Sequence, residues 1–427
     1  MNLKGINVLV DGYNIELASG TGIKTYGISL TQALNRLEAN VDVLFSCGSS
    51  SSDPILNEVL FFDNQNGSLD KISLIKAMTQ AASGLFYRAR RIKPSELVIK
   101  TESNQELIKS VGILNLEACY LLANTLHKKF RLKTKVATPN KIDVWHSTYP
   151  LPIKIKGAKK ITTIHDLIPL RLPYTTLDNK KFFYQIVKDS IKDSEIIITV
   201  SENSKKDILN TFDVAPEQVY VTYQPLVLQP GLVSEERITN FLKKRYKLDL
   251  KKYILFVGAI EPKKNLGRLI DAYAEIDTDM QLVVVGKKGW LWEGEIGKLE
   301  NIFGKNFSRK LKLLEYVSNQ DLKYFYLGAY CFVFPSLYEG FGLPPLEAMT
   351  FGCPVITSNV ASLPEICGDA ALYVNPYDVD DIKEKIEKLI NNPQLGAELS
   401  EAGRERVKLF SMDNYVNNLS KAYYKII

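Results

Sequence analysis

Residues Phe334–Met349 read FPSLYEGFGLPPLEAM and carry the strongest structural signal in this 427-residue chain. An apolar run ends at Phe334, a loop with two glycines follows, and two prolines open a helix. Proline is tolerated in the first turn of a helix because its missing N–H would be unpaired there anyway. A loop that leads into a helix N-terminus presents backbone N–H groups to anions. The segment therefore predicts a strand, a ligand-binding loop and a helix in direct succession.

Two glutamates lie eight positions apart in this segment. Glu339 is in the loop and Glu347 is in the first turns of the helix. Carboxylates accept hydrogen bonds, so this pair suits a ligand rich in hydroxyl groups, such as a sugar or a ribose. The ordinary alternative is a helix start that a nearby glutamate stabilises through the helix dipole.

Strands and helices alternate on both sides of this segment. Buried-type strands are predicted at Ile6–Val10, Val41–Phe45, Ile142–Trp145, Lys160–Ile164, Glu195–Val200, Val219–Tyr223, Tyr253–Val257, Gln281–Val285, Lys312–Leu314, Cys331–Phe334 and Pro354–Thr357. Helical spacing of apolar residues lies between them. The chain is thus predicted to be α/β, with two Rossmann-like doubly wound domains that face a central cleft and a linker near 224–252. Ligands of such sheets bind at the carboxyl ends of the strands.

Residues 48–140 are less regular. Helices are predicted near 70–92 and 104–130, and the first ends in the basic-aromatic cluster 86–93, FYRARRIK. Arginine, lysine and aromatic residues together suit a membrane surface with anionic headgroups. A solvated helix end is the ordinary alternative. No role is assigned to 48–140 beyond completing the first domain.

Composition excludes several classes of protein. Hydrophobic residues make up 45% of the chain, which is ordinary for a globular protein and excludes a largely disordered one. A net charge of +6 is too small to indicate nucleic-acid binding. The five cysteines are widely spaced, so we expect reduced thiols and no zinc site. The sequence shows neither a transmembrane run nor a secretory leader, and a cytoplasmic location is expected.

A second candidate site follows the strand Tyr253–Val257, where residues 258–266 read GAIEPKKNL. Lysines fixed at a strand end can neutralise a diphosphate and the charge that develops on it when it leaves. Lys263 and Lys264 are the candidates, and Asn265 is a candidate cap for the following helix. The alternative is a solvated lysine pair on a surface loop.

Histidines supply a third set of candidates, and the chain has only three. His165, followed by Asp166, ends an apolar run, where a parallel sheet opens to its cleft, and both side chains can bind sugar hydroxyls. His146 also follows a strand, where it either faces an acceptor or is structural. His127 is expected to be solvated at a lysine-rich helix end.

Taken together, these segments resemble the E-x7-E signature and other landmarks of retaining GT-B glycosyltransferases of family 4. Residues 352–355 and 363–370 are also similar to that family, and the resemblance spans nearly the whole chain except 48–140. It implies that Glu347 holds the donor ribose and that Glu339 lies beside the donor sugar. The backbone amides of Phe341, Gly342 and Leu343 would approach the sugar and diphosphate.

The resemblance gives roles to the other candidates as well. Lys264 matches the phosphate-binding lysine, and His165 matches the histidine at the reaction centre. Many members carry a basic residue at the position of Ala259, and here Lys263 is expected to supply that charge. The loop 19–25 would bring the amide of Gly22 near the diphosphate; it is not a dinucleotide fingerprint, because the third glycine and the acidic residue are out of place.

The activity that the resemblance implies is retaining transfer of a hexose from a nucleotide-diphosphate sugar to a glycan, without a metal or a cofactor. The expected donor is GDP-mannose, and the expected acceptor is a growing lipid-linked glycan at the inner face of the cytoplasmic membrane. Residues 1–230 would bind the acceptor, residues 231–411 would bind the nucleotide sugar, and the helix 412–427 would pack back on the first domain.

Four alternatives remain open. The same chemistry could use a UDP- or dTDP-sugar. A nucleotide-sugar epimerase of the same architecture would lack net transfer. A non-catalytic subunit that binds nucleotide sugars would be expected to lose one of His165, Lys264, Glu339 and Glu347, yet all four are present. A pyridoxal-phosphate phosphorylase would need a longer chain and a Schiff-base lysine motif that is not found.

Overall fold

Two parallel β-sheets form the centres of two α/β domains, as the alternation of strands and helices predicts. The structure is a computed structural model. It describes residues 2–16, 22–48, 51, 53–63, 85–99, 110–228, 231, 233–297, 299–304 and 307–427. Part of the predicted loop 19–25 and most of the predicted helix 70–92 lie outside the described residues.

The first sheet has eight strands in the order β11-β10-β9-β7-β1-β2-β5-β4. Every pair is parallel except β4 with β5. Its strands are β1 Asn7–Asp11, β2 Asn40–Phe45, β4 Arg90–Ile92, β5 Gly112–Asn115, β7 Val144–Ser147, β9 Lys159–Thr163, β10 Ile196–Thr199 and β11 Val219–Val221. The later strands β7 to β11 lie on one side of β1, and β2, β5 and β4 lie on the other side. The strand order therefore reverses at β1, and ligands of doubly wound sheets bind at such a point.

The second sheet has six parallel strands in the order β14-β13-β12-β15-β16-β17. They are β12 Tyr253–Val257, β13 Gln281–Val285, β14 Leu311–Leu314, β15 Cys331–Phe334, β16 Val355–Ser358 and β17 Ala371–Val374. Most of their apolar side chains are buried, as expected for a sheet covered on both faces. In this sheet β12 lies beside β15, so the segments that follow these two strands meet at the same edge of the sheet.

The helices of the described residues cover both domains. They are α1 Gly22–Arg36, α2 Pro54–Asp63, α3 Cys119–Phe130, α4 Ile168–Arg171, α5 Lys180–Asp193, α6 Glu202–Thr211, α7 Glu235–Phe241, α8 Leu266–Ala274, α9 Glu293–Ile296, α10 Leu299–Phe303, α11 Asn319–Gly328, α12 Leu343–Thr350, α13 Leu363–Cys367, α14 Val379–Ile390, α15 Pro393–Arg406 and α16 Met412–Tyr423. Ser201 caps α6 by accepting a hydrogen bond from the Ser204 N–H.

The prediction for 86–130 is partly wrong. The cluster 86–93 is not a helix end, because β3 Tyr87–Arg88 and β4 lie within it. Strand β3 joins β6 Thr134–Ala137 and β8 Ile153–Ile155 in a small parallel sheet. In the described part of the predicted helix 104–130, residues 110–130, the structure has β5 followed by α3. These strands are stabilised by residues that are far away in the sequence. Arg91 on β4, for example, forms an ion pair of 2.7 Å with Asp42 on β2.

The C-terminal helix α16 returns to the first domain. It packs against α1, and the hydroxyl of Tyr423 lies 2.7 Å from Nδ1 of His146 on β7. The chain therefore crosses between the domains twice, near 222–234 and again at 407–411. The two crossings touch, because the Leu226 N–H donates to the Phe410 carbonyl at 2.9 Å.

Opposite the crossings, the domains contact each other across the cleft. The Ser201 hydroxyl donates to the Gly340 carbonyl at 2.7 Å. The carboxylate of Glu365 accepts from the backbone N–H groups of Glu202 and Asn203, at 2.7 and 3.0 Å, and so caps α6 from the other domain. These contacts hold the cleft in a closed arrangement.

All five cysteines are buried. Within the described ranges, no helix combines the length and the apolar character that crossing a bilayer requires.

Gly286, just after β13, has no room for a side chain. A Cβ atom placed on it would lie 1.8 Å from the Gly258 carbonyl oxygen, a backbone atom that precedes the lysine turn. We expect Gly286→Ala to destabilise the protein by about 1–3 kcal/mol, because overpacking forces the backbone to shift. Thermal denaturation measures the effect. The matched control is Gly294→Ala in α9, where a Cβ meets no atom within 4 Å; equal melting temperatures for both variants would contradict the prediction.

Candidate active site

Lys263 and Lys264 lie at the carboxyl edge of the second sheet. They form a 3-10 turn, Pro262–Lys264, after β12, and the loop that follows the neighbouring strand β15 carries Glu339. The Leu337 N–H donates to the Lys263 carbonyl at 2.7 Å and fixes the turn to the loop. The adjacency of β12 and β15 thus brings together two sequence signals that are separated by 75 residues.

An ion pair forms the centre of this cluster. Nζ of Lys264 lies 2.6 Å from Oε1 of Glu339, and the side chains are only 13% and 10% exposed. The Ser336 hydroxyl donates to the same carboxylate oxygen at 2.6 Å. Nζ of Lys263 lies 3.4 Å from Oε1 of Glu261. Two lysines and two glutamates therefore share one buried edge of the cleft.

Burial and mutual charge set the protonation of this cluster. Burial raises the pKa of Glu339, but the charges of Lys264 and Lys263 outweigh it and the pKa is lowered. Burial lowers the pKa of Lys263, but the carboxylates of Glu339, Glu261 and Asp166 raise it overall. For Lys264, burial dominates and the pKa is lowered. The carboxylate and the Lys263 ammonium are thus held in their charged forms.

Asn265 occupies the N-cap position of α8, but its side chain does not cap the helix. Its amide nitrogen instead donates to the carbonyls of Pro335 and Pro376, at 2.9 and 2.6 Å. The predicted cap is therefore wrong, and Asn265 ties the lysine turn to two loops at the same sheet edge.

The loop before α12 leads directly into a helix N-terminus, where the first backbone N–H groups have no partner within the helix. Gly342 has a φ of +119°, a conformation that favours glycine, and no side chain caps the helix that begins at Leu343. The Phe341 ring packs against Tyr223 and Phe410. Gly22 opens α1 in the other domain, and a Cβ on it would lie 3.5 Å from the Leu343 side chain. The structure therefore brings Gly22 next to this loop.

Glu347 is held apart from the lysines. Its carboxylate accepts a hydrogen bond from the Tyr326 hydroxyl at 3.0 Å. Burial raises its pKa to about 7. An acidic group with one hydrogen-bond partner and a pKa near neutrality is poised to accept hydroxyl donors from a ligand.

His165 lies on the other side of the cleft, after β9. Its Nε2 is 3.0 Å from the Thr148 carbonyl, an acceptor, so Nε2 carries the proton. Asp11 in turn holds Thr148, accepting from its hydroxyl at 3.0 Å. Burial lowers the pKa of His165 to about 4. The ring is therefore neutral at pH 7, with Nδ1 as a bare hydrogen-bond acceptor.

Asp166 faces the glutamate loop directly. A Cβ on Gly340 would lie 2.9 Å from Oδ2 of Asp166, so only glycine fits at this position. Burial raises the pKa of Asp166, against the opposing charge of Lys263. The structure thus brings together His165, Asp166, Lys263, Lys264 and Glu339 around one cleft.

The other two histidines are not available to a ligand. His146 is fully buried, with its ring nitrogens bonded to Tyr423 and to the Thr163 hydroxyl, at 2.7 and 2.8 Å. Of the two interpretations of His146, this geometry is that of a structural residue. His127 is not solvated, as was expected, but fully buried and 2.8 Å from Asp189.

Sequence reasoning did not single out Ser336, Tyr326 or Trp290. Ser336 and Tyr326 bind the two signature glutamates. Ser336 lies three positions before Glu339, so spacing alone could have suggested it. Trp290 donates its indole N–H to the Thr175 carbonyl at 2.6 Å, across 115 residues, and no local signal points to that contact.

Comparison with known proteins agrees with this geometry. Residues 20–229 match the family described as Glycosyltransferase Family 4, and residues 238–406 match Glycosyl transferases group 1. The chain is 33% identical over 291 residues to the O-antigen chain mannosyltransferase B of Escherichia coli, covering 66% of this chain and 74% of that one. The chain belongs to the GT-B glycosyltransferases.

Two other mannosyltransferases resemble this glycosyltransferase over different lengths. It is 27% identical to the O-antigen chain mannosyltransferase RfbU of Salmonella typhimurium, covering 88% of this chain and 89% of that one. It is 30% identical to the serotype-specific mannosyltransferase WbdA of Escherichia coli, covering 66% of this chain. The match spans only 35% of WbdA, so the relative is much longer.

Solved structures share the fold of this glycosyltransferase. Sucrose-phosphate synthase from Thermosynechococcus elongatus superimposes with a TM-score of 0.68 at 16% identity, covering 98% of both chains. Anabaena HepE in complex with UDP and glucose superimposes with a TM-score of 0.67 at 12% identity, covering 98% of this chain and 100% of that one. At these identities the likeness concerns the fold alone.

Proposed function

We propose that this glycosyltransferase moves a hexose, most specifically mannose from GDP-mannose, to a glycan acceptor with retention of anomeric configuration. The observation that carries the proposal is the buried Lys264–Glu339 pair beside Lys263, which faces His165 and Asp166 across the cleft. Lysines at this edge offer positive charge to a diphosphate, and carboxylates offer acceptors to a sugar.

The proposed chemistry is a front-face displacement. The bond between the sugar C1 and the phosphate oxygen breaks, and a bond from C1 to the acceptor oxygen forms on the same face. The proton of the acceptor hydroxyl passes to the departing phosphate oxygen, which leaves as part of GDP. The protein positions the two substrates and stabilises the leaving charge through Lys263, Lys264 and the amides of the 341–343 loop. We propose that these groups replace a metal and that no cofactor takes part.

Each domain has its own substrate in this proposal. Residues 231–411 bind the nucleotide sugar, with Glu347 on the ribose, and residues 1–230 together with the helix 412–427 bind the acceptor. The acceptor is a lipid-linked glycan at the cytoplasmic face of a membrane, in the synthesis of a surface polysaccharide of O-antigen or capsule type. Arg88 on β3 and Arg90 on the edge strand β4 are both exposed and suit peripheral contact with that surface.

The choice of mannose rests on the names of the relatives, since two O-antigen mannosyltransferases match most of their length. A UDP- or dTDP-sugar donor is the competing proposal for the same site. A subunit that binds nucleotide sugars without catalysis is less well supported, since the Lys264–Glu339 ion pair and His165 are all present at the cleft with defined hydrogen-bond partners.

Calorimetric titration with GDP, UDP, dTDP and ADP in the presence of EDTA tests the donor site. We expect GDP to bind the wild type and to bind Glu347→Ala much more weakly. Tight binding of UDP or dTDP instead would replace mannose by another donor sugar. If none of the four nucleotides binds, the transferase proposal itself is contradicted. Incubation of GDP-[14C]mannose with membrane lipid extract then reports transfer directly.

The raised pKa of Glu347 predicts that donor binding depends on pH. The carboxylate form accepts ribose hydroxyls, so protonation as the pH falls through about 7 removes the competent form. We expect the Kd of GDP-mannose to rise about tenfold between pH 8 and pH 6, in proportion to the lost carboxylate. Glu347→Gln is the matched control, and its weaker binding should be independent of pH. Parallel pH profiles for both proteins would refute the assignment.

A further inference from the structure

The small parallel sheet of β3, β6 and β8 covers one side of the core of the first domain. Its inward side chains are buried and apolar or aromatic, namely Tyr87, Val136, Ile153 and Ile155. Because side chains alternate along a strand, the residues between them point away from the core. Four cationic residues lie on that outward side, namely Arg88, Lys135, Lys154 and Lys156. We call these four residues the basic sheet face.

The register of the sheet brings these cations close together. Lys135 and Lys154 are direct partners across β6 and β8, and neighbouring strands of a sheet are only about 4.8 Å apart. Arg88 is the partner of Ala137, which lies two residues after Lys135 on β6. Lys156 lies two residues after Lys154 and therefore extends the same row as Arg88. The four positive charges thus occupy two adjacent rows of one small surface.

No carboxylate of the described residues forms an ion pair with the basic sheet face. Lys135 is half-buried and the other three cations are exposed. They come from three segments without aspartate or glutamate, residues 85–93, 128–137 and 151–160. The neighbouring Lys133 differs, because it pairs with Asp193 at 2.5 Å. Like charges opposite each other in paired strands are unfavourable for the fold, and this cluster remains available to an external anion.

Exposed apolar side chains lie at the edge of the same small sheet. Phe130 and Leu132 precede β6 and are 46% and 36% exposed, and Leu85 precedes β3 and is 62% exposed. Because β3 and β6 are parallel, all three lie at the edge where these strands begin. Cations attract phosphate headgroups, and apolar side chains beside them can enter the interfacial region of a bilayer. A soluble polyanion would use the cations but not the apolar side chains.

We propose that the basic sheet face docks the protein on the phosphate headgroups of an anionic lipid bilayer, with Leu85, Phe130 and Leu132 entering the interfacial region. The inference rests on the proposed function, in which the acceptor is lipid-linked, and it names the surface that makes the membrane contact. All residues of this surface belong to the first domain, which holds the acceptor in that proposal. Attachment through it leaves the second domain free to move relative to the bilayer.

Co-sedimentation of the full chain with vesicles tests the role of charge. The vesicles contain phosphatidylcholine alone or an equal mixture of phosphatidylcholine and phosphatidylglycerol. We expect binding to the anionic vesicles only, and weaker binding when salt screens the charges. The double variant Lys135→Gln/Lys154→Gln should lower the partition coefficient about 30-fold, roughly fivefold for each lost cation. Lys421→Gln/Lys425→Gln is the matched control, since it removes the same charge on the opposite side of the first sheet and should bind as the wild type does.

A tryptophan placed at the apolar edge reports insertion directly. In Phe130→Trp, we expect the added indole emission to shift to the blue with anionic vesicles and to be quenched by brominated lipid. Tyr316→Trp is the matched control, because Tyr316 is 73% exposed on the second domain and its replacement should show neither change. Thermal denaturation checks the fold of the lysine variant. We expect Lys135→Gln/Lys154→Gln to be no less stable than the wild type, because it relieves the repulsion across β6 and β8.

The outcomes separate this inference from the proposed function. Equal binding of wild type to neutral and anionic vesicles, or unaltered binding of Lys135→Gln/Lys154→Gln, overturns the docking surface. Binding of soluble polyphosphate without binding of vesicles assigns the face to a soluble polyanion and overturns it as well. Calorimetric titration with nucleotides is made on the same samples. Normal nucleotide binding without vesicle binding contradicts the docking surface alone, whereas loss of all nucleotide binding by the wild type contradicts the proposed function.

Discussion

Replacing Lys264 with alanine is expected to lower the rate of sugar transfer by about 30- to 1000-fold, the effect of removing about 2–4 kcal/mol of charge stabilisation from the transition state. Nζ of Lys264 lies at the sheet edge where the departing diphosphate would gain charge, and it is only 13% exposed. A buried cation acts there with little screening by solvent. The measurement is kcat with GDP-mannose and a membrane lipid acceptor.

The substitution also affects Glu339, which loses its partner at 2.6 Å. Its carboxylate keeps Ser336 and the charge of Lys263, so we expect its pKa to rise and its charged form to remain accessible near pH 8. Lys288→Ala is the matched control, since this lysine is 40% exposed and pairs with a surface glutamate. A folded Lys264→Ala variant with wild-type kcat would refute the phosphate assignment.

Replacing His165 with alanine is expected to lower kcat by about 100-fold or more, the effect typical of losing a group that positions the reactants. The reason is Nδ1, which has no hydrogen-bond partner among the described residues, while Nε2–H is held by the Thr148 carbonyl. His165→Asn keeps a polar atom near the position of Nδ1, whereas His165→Gln keeps one near Nε2. We therefore expect the asparagine variant to retain more activity than the glutamine variant.

The lowered pKa of His165 gives this prediction a second readout. A histidine whose folded pKa is about 4 stays neutral from pH 5 to pH 8. The kcat profile should therefore show no inflection near pH 6.5 that depends on His165. Such an inflection in the wild type, lost in His165→Asn, would contradict the neutral ring, and equal activity of the asparagine and glutamine variants would contradict the role of Nδ1.

Much of the second domain follows from local sequence. Strand β12 occupies the predicted residues because an uninterrupted apolar run of five residues suits a strand covered on both faces. The glutamate loop and the lysine turn were also predictable, since each follows such a strand. Their convergence required only that β12 and β15 be neighbours, which is common in doubly wound sheets.

The errors concern elements that distant partners stabilise. Strand β4 has only three residues and forms against β5 with the help of the Arg91–Asp42 ion pair. Helical spacing cannot reveal such a pairing, because the decisive contact lies outside the window that is read. Two other contacts also lie outside any local window. The Asn265 side chain donates to two distant carbonyls instead of capping its own helix, and the Trp290 indole N–H donates to a carbonyl in the other domain.

The two chain crossings have a mechanical consequence. Because Leu226 and Phe410 hydrogen-bond where the crossings meet, the domains share one narrow hinge and can rotate about it without separating. Rotation moves residues in proportion to their distance from the axis, so the contacts of Glu365 with α6 and of Trp290 with Thr175 must break when the cleft opens. In the proposed reaction, we expect the spent nucleotide to leave after the cleft opens, so the opening step adds a kinetic barrier to that of the chemistry.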